Sequence, residues 1–347
     1  MILTQPNRGV PRGGAWRYDS AKPRREQFPG RKAALLLSGL VIAWAVLAAF
    51  ACPLRAGTVY VPNASFEAPV VPFDVTPAVP DMDYWEKSPQ PAWYYPSNNF
   101  NTPWEDLTGT FYNFPNPATF IDNCDGTQAA FLFAFPDVAI FQDYDSIYGT
   151  NTTPSHAFDA TFNVGSAYSL TVGVIGGVYG SPPLYEGATL QLSLYYRDAS
   201  SNIVPVAATT ITNSAQLFPT NTHLVDFSVQ LPGVLAADSW ANQHIGILIA
   251  STVGTNLANG YWDLDNVRLV ETVLPRLANP QVLSNQFSVT VRSEPGLQFE
   301  ILAYTNLASP LSNWTSLGIV TNLSGATPFS DPAVNLGPRF YTLRQLP

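Results

Sequence analysis

Two pairs of acidic residues have the spacing that glycosidase chemistry needs. Asp143 and Asp145 form one pair, and Asp263 and Asp265 form the other. On a β-strand, residues two apart share a face and lie about 6.6 Å apart. Glycoside hydrolases use two carboxyl groups roughly 5–10 Å apart across a cleft. The spacing therefore permits hydrolysis, but acids on strand surfaces are common and no neighbouring motif predicts a cleft.

Other catalytic patterns are missing from the sequence. It contains no Gly-x-Ser-x-Gly nucleophile elbow and no glycine-rich phosphate loop. The three histidines, His156, His223 and His244, are scattered, and the cysteines Cys52 and Cys124 do not join them in a metal-binding spacing. We therefore expect a protein that is not an enzyme.

A segment rich in aromatic residues is the candidate ligand site. Residues 81–117 hold ten Trp, Tyr and Phe residues within an irregular stretch rich in Pro and Asn. Aromatic faces stack on the C–H faces of sugars, and neighbouring amides and carboxylates bind hydroxyl groups, often on loops of a rigid scaffold. The predicted ligand-binding residues are Trp85, Trp93, Tyr94, Trp104, Asn99 and Glu105. The alternative is that the loop buries its own rings as a satellite core.

Short strands must position these residues. Between residues 189 and 196, Leu190, Leu192, Leu194 and Tyr196 alternate with other residues, which is typical of a half-buried strand. Similar patterns predict ten strands at 58–61, 128–134, 138–142, 158–164, 168–175, 188–197, 203–211, 223–231, 244–251 and 261–270. Residues 236–243 are a possible short helix. The pattern predicts an all-β protein, a jelly-roll β-sandwich over 57–271.

A second, smaller β-module is predicted at the carboxyl end. Residues 272–286 contain two prolines and no strand pattern, so we interpret them as a linker. Four more strands are predicted at 287–292, 298–304, 315–320 and 339–343. They predict a small sandwich-like module over 287–347, with its own core.

Charge excludes one class of partner. Only 12% of residues are charged, and the 44 Trp, Tyr and Phe residues suit strands. From Gly57 onward, seven basic residues stand against 23 acidic ones, which gives a net charge of −16. Such a surface repels phosphate backbones, so we do not expect a nucleic-acid partner.

The amino-terminal residues 1–56 read as an export signal. Arg31 and Lys32 precede an apolar run over 33–51, which ends before small residues near Ala56. The run is also long enough to stay as a membrane anchor, and Ala51-Cys52 weakly matches a lipoprotein site. We expect a secreted or cell-envelope protein that meets a membrane only through this segment, if it is uncleaved.

Four motifs in order resemble the galactose-binding-like and carbohydrate-binding-module jelly rolls of secreted bacterial proteins. They are Asn63-Ala-Ser-Phe-Glu67, Asp125-Gly-Thr-Gln128, Phe141-Gln142 with Tyr168-Ser-Leu-Thr-Val172, and Leu264-Asp-Asn-Val267. The resemblance implies a carbohydrate-binding jelly roll. It also implies a structural Ca²⁺ shared by the first and last strands, at the positions of Glu67 and Asp265, with backbone carbonyls completing the shell.

The last 60 residues resemble a small C-terminal β-module of secreted proteins from Verrucomicrobia. The resemblance rests on 299–307, Asn313-Trp314, Phe329-Ser-Asp331 and 339–343. The resemblance implies an exported protein and a β-fold only, because that family has no established activity to carry over. Our first hypothesis is noncatalytic binding of a polysaccharide or glycoconjugate, the second is a structural or adhesive envelope protein without a small ligand, and the third is a glycoside hydrolase.

Overall fold

The computed structural model describes residues 57–98, 102–116, 119–149, 153–177, 183–283, 286–331 and 338–347. The predicted signal segment lies outside these residues. Within them, no helix has the length and apolarity needed to cross a bilayer.

Two antiparallel sheets form the larger part of the protein. One has the strand order β10-β7-β12-β5-β4-β2, with β1 also paired to β12, and the other has the order β3-β6-β11-β8-β9. The strands are β1 Gly57–Val59, β2 Ala78–Val79, β3 Glu86–Lys87, β4 Thr108–Tyr112, β5 Gln128–Phe133, β6 Ala139–Gln142, β7 Ser166–Ile175, β8 Thr189–Arg197, β9 Ile203–Thr212, β10 Val225–Leu231, β11 Gly246–Ser251 and β12 Tyr261–Val273. The prediction of an all-β jelly-roll sandwich is confirmed.

The core lies between these two sheets. Leu132, Val172 and Leu264 of the seven-stranded sheet share one cluster of buried side chains with Leu192 and Ile247 of the five-stranded sheet. Each of these strands alternates, so that every second side chain reaches the core and its neighbours face outward. The outward face of the seven-stranded sheet carries the candidate site.

Strand β12 occupies a central place in that sheet. It pairs with β7 along almost its whole length, with β5 through Tyr261–Leu264, and with β1 through Leu269–Glu271. The register with β7 shifts between Asp265 and Arg268. Asp263 and Asp265 therefore lie in the middle of the sheet, on a strand that has β5 as its neighbour on one side and β7 on the other.

Two expected elements are absent from the described residues. Residues 158–164 do not form a strand, because only Thr161 bridges to His244 there. Residues 236–243 form successive turns rather than a helix. Four 3₁₀ helices do occur in the described part, at Pro96–Asn98, Trp104–Leu107, Thr255–Leu257 and Leu311–Asn313.

The carboxyl-terminal part contains two three-stranded antiparallel sheets. Their orders are β13-β14-β17 and β16-β15-β18. The strands are β13 Arg276–Leu283, β14 Gln286–Arg292, β15 Leu297–Tyr304, β16 Thr315–Asn322, β17 Ala326–Asp331 and β18 Phe340–Leu346. Val291, Phe299 and Ile301 are buried among these strands.

The prediction of a strandless linker over 272–286 is wrong. Strand β12 continues to Val273, and β13 pairs with β14 from Arg276 onward. Proline is tolerated because β13 is an edge strand, and its register shifts between Ala278 and Gln281, around Pro280. The backbone N–H of Leu274 also donates to the Gly165 carbonyl at 2.9 Å. The division into modules 57–271 and 287–347 stays a prediction.

Candidate functional site

Most of the predicted sugar-stacking rings belong to the core. Trp85, Tyr94 and Trp104 are buried. Each polar ring atom donates to a backbone carbonyl: Trp85 Nε1 to Asn63 at 3.1 Å, Tyr94 Oη to Thr102 at 2.8 Å and Trp104 Nε1 to Ser88 at 2.7 Å. A buried ring with its polar atom satisfied offers no face to a ligand. The prediction of a binding surface is therefore wrong for these three residues, and the satellite-core alternative describes them.

Two of the remaining predicted binding residues, Trp93 and Glu105, are exposed. Trp93 is 43% exposed, and its Nε1 donates to Asp137 Oδ2 at 3.0 Å. Glu105 is exposed, and Asn99 lies outside the described residues. Trp93 packs edge-on against Trp104, with ring centroids 6.3 Å apart. One exposed indole stays available as a stacking surface.

A cavity of about 420 Å³ opens on the outward face of the seven-stranded sheet. Aromatic rings make up much of its wall, with one carboxyl group and two amides among them. The described lining residues are Pro77, Ala78, Phe111, Tyr112, Asn113, Phe114, Thr119, Phe131, Phe133, Ile175, Gly176, Gly177, Asn221, Tyr261 and Asp263. The segment of ten aromatics contributes three of these rings, at positions 111, 112 and 114.

Strand pairing brings the floor of this cavity together. Phe131 of β5 lies opposite Asp263 of β12, and Phe133 lies opposite Tyr261. On the other side of β12, Ile175 of β7 also pairs with Asp263. Since side chains of directly paired residues stand on the same face of a sheet, the rings surround the carboxyl group.

A glycine on the neighbouring strand leaves room for one of these rings. Gly109 of β4 pairs with Phe131 of β5. A Cβ atom at Gly109 would stand 2.9 Å from Phe131 Cε1 and would overlap the carbonyl oxygen of Val79. Only glycine fits there without displacing the ring or the backbone of β2.

Asn113 fixes the loop that covers part of the sheet. Its Oδ1 accepts from the backbone N–H of Ile121 at 2.9 Å, and its Nδ2 donates to the Ile121 carbonyl at 3.0 Å. The loop is anchored further by Asn123, which exchanges two hydrogen bonds with the backbone of Leu224. These contacts hold Phe114 and Thr119 in the cavity wall.

Asp263 is the polar centre of the cavity. Its Oδ1 is shielded from solvent and has no hydrogen-bond partner among the described residues. Burial raises the pKa of Asp263 to about 7, because a low-dielectric surrounding disfavours the charged form. The pKa of Tyr261 is raised as well. Its own burial is the larger cause, and the nearby charge of Asp263 is the smaller one. An unsatisfied buried carboxyl group is costly, and such groups concentrate at functional sites.

The predicted calcium ligands are occupied by hydrogen bonds. Glu67 Oε1 accepts from the backbone N–H of Thr127 and of Gln128, both at 2.7 Å, and Oε2 accepts from the Thr127 hydroxyl at 2.9 Å. Asp265 Oδ2 accepts from the Asp125 N–H at 2.6 Å, and Oδ1 from its neighbour at position 266. The described residues hold no group of three acidic, His or Cys side chains suited to a metal. Both carboxylates already accept hydrogen bonds, so a calcium ion here would have to draw most of its six to eight oxygens from other groups.

Asp263 and Asp265 do not share a cleft, whereas Asp143 and Asp145 both line a cavity of about 210 Å³ that is separate from the one at Asp263. Asp265 points to the backbone of Asp125, whereas Asp263 lines the cavity. Asp143 Oδ2 accepts from the Tyr195 hydroxyl at 2.6 Å and from Arg197 Nε at 2.7 Å. The burial of Tyr195 beside Asp143 raises the pKa of that phenol. The Asp143 carboxylate is therefore committed to a structural ion pair.

No family model and no curated protein matches this chain. Among solved structures, it is similar to the Stig cyclase Fisc from Fischerella sp. TAU, at 20% identity over 63% of this chain and 100% of that chain, with a TM-score of 0.44. It is also similar to the CBM22-1–CBM22-2 tandem domain of Paenibacillus barcinonensis Xyn10C, at 11% identity over 65% of this chain and 82% of that chain, with a TM-score of 0.28. A third is the CBM22-1–GH10 part of a Clostridium thermocellum endo-1,4-beta-D-xylanase, at 14% identity, 54% and 26% coverage and a TM-score of 0.27.

Sequence reasoning missed most of the cavity, although one signal pointed to it. In β5, Ala130 and Leu132 face the core, yet the alternate positions Phe131 and Phe133 are also apolar. A sheet with one solvent-exposed face normally carries polar residues at such outward positions. Large rings on the outward face therefore mark a covered or ligand-binding surface.

Proposed function

We propose that this protein is a noncatalytic binding protein that takes a sugar ring of a polysaccharide or glycoconjugate into the cavity at Asp263. The observation that carries the proposal is the cavity itself. Its volume of about 420 Å³ falls in the range of ligand sites, roughly 300–1,000 Å³. Rings surround a few convergent polar groups, as such sites require.

The side chains suit a pyranose chemically. The faces of Phe131, Phe133 and Tyr261 offer apolar surface to sugar C–H groups, and successive rings stand 6.1 Å and 5.7 Å apart. Asp263 and Asn221 offer oxygen and nitrogen atoms to hydroxyl groups. A hydroxyl that donates to the partly buried Asp263 carboxyl group would give this group a hydrogen-bond donor, which supports polar ligands over purely apolar ones.

More rings continue from the cavity across the surface. Tyr112 stacks on Phe73 at 4.7 Å and meets Phe114 at 6.4 Å between ring centroids. Phe73 is 50% and Phe114 57% exposed. An extended ligand, such as an oligosaccharide, could contact these rings while one residue occupies the cavity.

A glycan array followed by calorimetry of the full-length chain tests the proposal. We expect binding of at least one oligosaccharide, and Phe131→Ala should weaken it about tenfold, by analogy with nucleobases, for which stacking on an aromatic side chain is worth about 1–3 kcal/mol. Trp93→Ala is the matched control, because Trp93 lies outside the cavity lining. Loss of binding in Trp93→Ala alone would move the site to the exposed indole.

The surroundings of Asp263 also favour a second candidate function, that of an enzyme whose catalysis uses a single acidic residue. A carboxyl group with a pKa near neutrality in an apolar pocket has the properties of a general acid. The described lining holds one carboxyl group rather than the pair that most glycoside hydrolases use. Mass spectrometry of ligands recovered after incubation distinguishes the two: unchanged ligands support binding alone, and products that Asp263→Asn fails to form support catalysis.

The cellular location is part of the same proposal. The basic and apolar residues before Gly57, together with the acidic body, support export to the cell surface or the medium. There, the structural or adhesive role without a small ligand is the competing hypothesis. A chain that binds no glycan in the array would favour it.

A further inference from the structure

We infer that the cavity selects a ring that carries an ammonium group, such as an amino sugar, over its neutral counterpart. The inference rests on the proposed sugar site and names the class of sugar. It follows from the position of one unpartnered carboxyl oxygen inside a wall of aromatic faces.

The first step concerns the charges that face Asp263. The described lining contains no Lys, Arg or His. Asp263 is its one carboxyl group, and the tyrosines Tyr112 and Tyr261 are its other ionisable residues. No protein cation in the described lining therefore balances a carboxylate at this position, and a cationic ligand is free to do so.

The second step concerns hydrogen bonds. Asp263 Oδ1 has no donor among the described residues, and the Asp263 side chain is only partly buried where it lines the cavity. A buried acceptor that stays unsatisfied is unfavourable. An ammonium group brings three N–H donors together with its charge, and charge-assisted hydrogen bonds are roughly twice as strong as neutral ones. A hydroxyl group brings one donor and no charge.

The third step concerns the rings. Phe131 lies opposite Asp263 in the sheet, and Phe133 and Tyr261 form the next opposed pair. Cations are attracted to aromatic faces within about 6 Å of the ring centroid, and cages of rings recognise ammonium ligands. Stacking also holds the sugar C–H face, so one wall can serve both parts of an amino sugar.

The long-range field acts in the same direction. The chain from Gly57 onward carries seven basic and 23 acidic residues. A negative surface raises the local concentration of cations and speeds their association. This attraction is not specific to the cavity, so the test must separate it from the contact with Asp263.

The experiment uses two matched pairs of short probes in calorimetric titrations of the full-length chain. The first pair is glucosamine dimer against its N-acetylated form, and the second is benzylamine against benzyl alcohol. We expect each amine to bind at least tenfold more tightly than its neutral partner. Asp263→Asn should remove that preference while the protein stays folded by circular dichroism.

Each outcome decides between the ideas. Equal affinity for amine and neutral probe overturns the selectivity but leaves sugar binding intact. Preference for benzylamine with no binding of either sugar overturns the proposed sugar function and supports the ammonium site. A preference that Asp263→Asn keeps, and that ~0.5 M salt removes, reflects the surface field alone and overturns the inference. Binding of none of the four probes overturns the inference, while the glycan array decides separately on the proposed sugar function.

Discussion

Asp263 and Phe131 stand directly opposite each other on adjacent antiparallel strands, in the middle of the outward face of the seven-stranded sheet. More than a hundred residues separate them in the sequence, and the pairing register of β5 with β12 places them side by side. The pairing places a carboxyl group beside an aromatic face in a cavity. The proposed ligand binding and selectivity, and the pH dependence of stability expected below, all rest on this pairing.

The pH dependence of stability should carry the signature of Asp263. Its folded pKa of about 7 exceeds the unfolded value of about 3.9. A group with a raised folded pKa stabilises the fold fully below its unfolded pKa, and that contribution is lost as the pH rises through its folded pKa. Asp263→Asn should therefore nearly match the parent near pH 4 and exceed its unfolding free energy by about 4 kcal/mol near pH 8.

Urea denaturation at the two pH values provides that comparison. Asp74→Asn is the control, because Asp74 is exposed. Its difference from the parent should be small at both pH values. An Asp263→Asn effect of the same size at both pH values would contradict the burial of the charge.

Gly109→Ala should destabilise the protein. The new Cβ would meet the Phe131 ring and the Val79 carbonyl, and such overpacking is unfavourable by about 1–3 kcal/mol. Gly57→Ala is the control, since its nearest neighbouring atom would be 3.9 Å away. Thermal unfolding of the two variants gives the comparison, and equal melting temperatures would count against the close approach of β2, β4 and β5.

Asp265→Ala should weaken the fold through lost hydrogen bonds. The carboxylate accepts from the backbone N–H groups of Asp125 and Asn266, and it is fully buried. Leaving a buried N–H without an acceptor is unfavourable by about 1–3 kcal/mol. Chemical denaturation measures the loss, and a variant as stable as the parent would show that water replaces the carboxylate.

Calcium at Glu67 and Asp265 stays a proposal that rests on the sequence resemblance. If the ion is present, chelation lowers the melting temperature by several degrees and Asp265→Ala removes that sensitivity. The hydrogen bonds at both carboxylates instead favour a melting temperature that is indifferent to chelator. A calcium-dependent shift would show that backbone carbonyls complete a shell around the two side chains.

Trypsin should cut slowly after Arg276. That residue belongs to β13, pairs with Arg292 of β14 and donates from Nη1 to the Val164 carbonyl. Proteases need an extended, unpaired backbone, so strand pairing protects the site. Peptide mapping during limited digestion tests this, and first cleavage at Arg276 would support the flexible linker that the sequence suggested.

Alternation and turn residues were sufficient to predict the sandwich and most of its strands. Prediction from the sequence failed where the type of a side chain does not show whether that side chain is buried or exposed. The rings of Trp85 and Trp104 look the same in sequence whether they bind sugar or fill a core. Pro280 marked a break, yet an edge strand accommodates it at a register shift.

The cavity was harder to predict from the sequence than the strands were. The sequence spacing draws attention to the carboxyl group of Asp263, but it pairs this group with Asp265, two residues away. The true neighbours, Phe131 and Ile175, come from other strands through pairing register. Register depends on the whole sheet, and a local pattern does not specify it.

The most direct test is an isotope-filtered nuclear Overhauser experiment on the complex with the best oligosaccharide from the array. We expect contacts between sugar C–H protons and the ring protons of Phe131, Phe133 and Tyr261, and we expect all of them to be lost in Phe131→Ala. Contacts to the Trp93 indole in place of these three rings would contradict it.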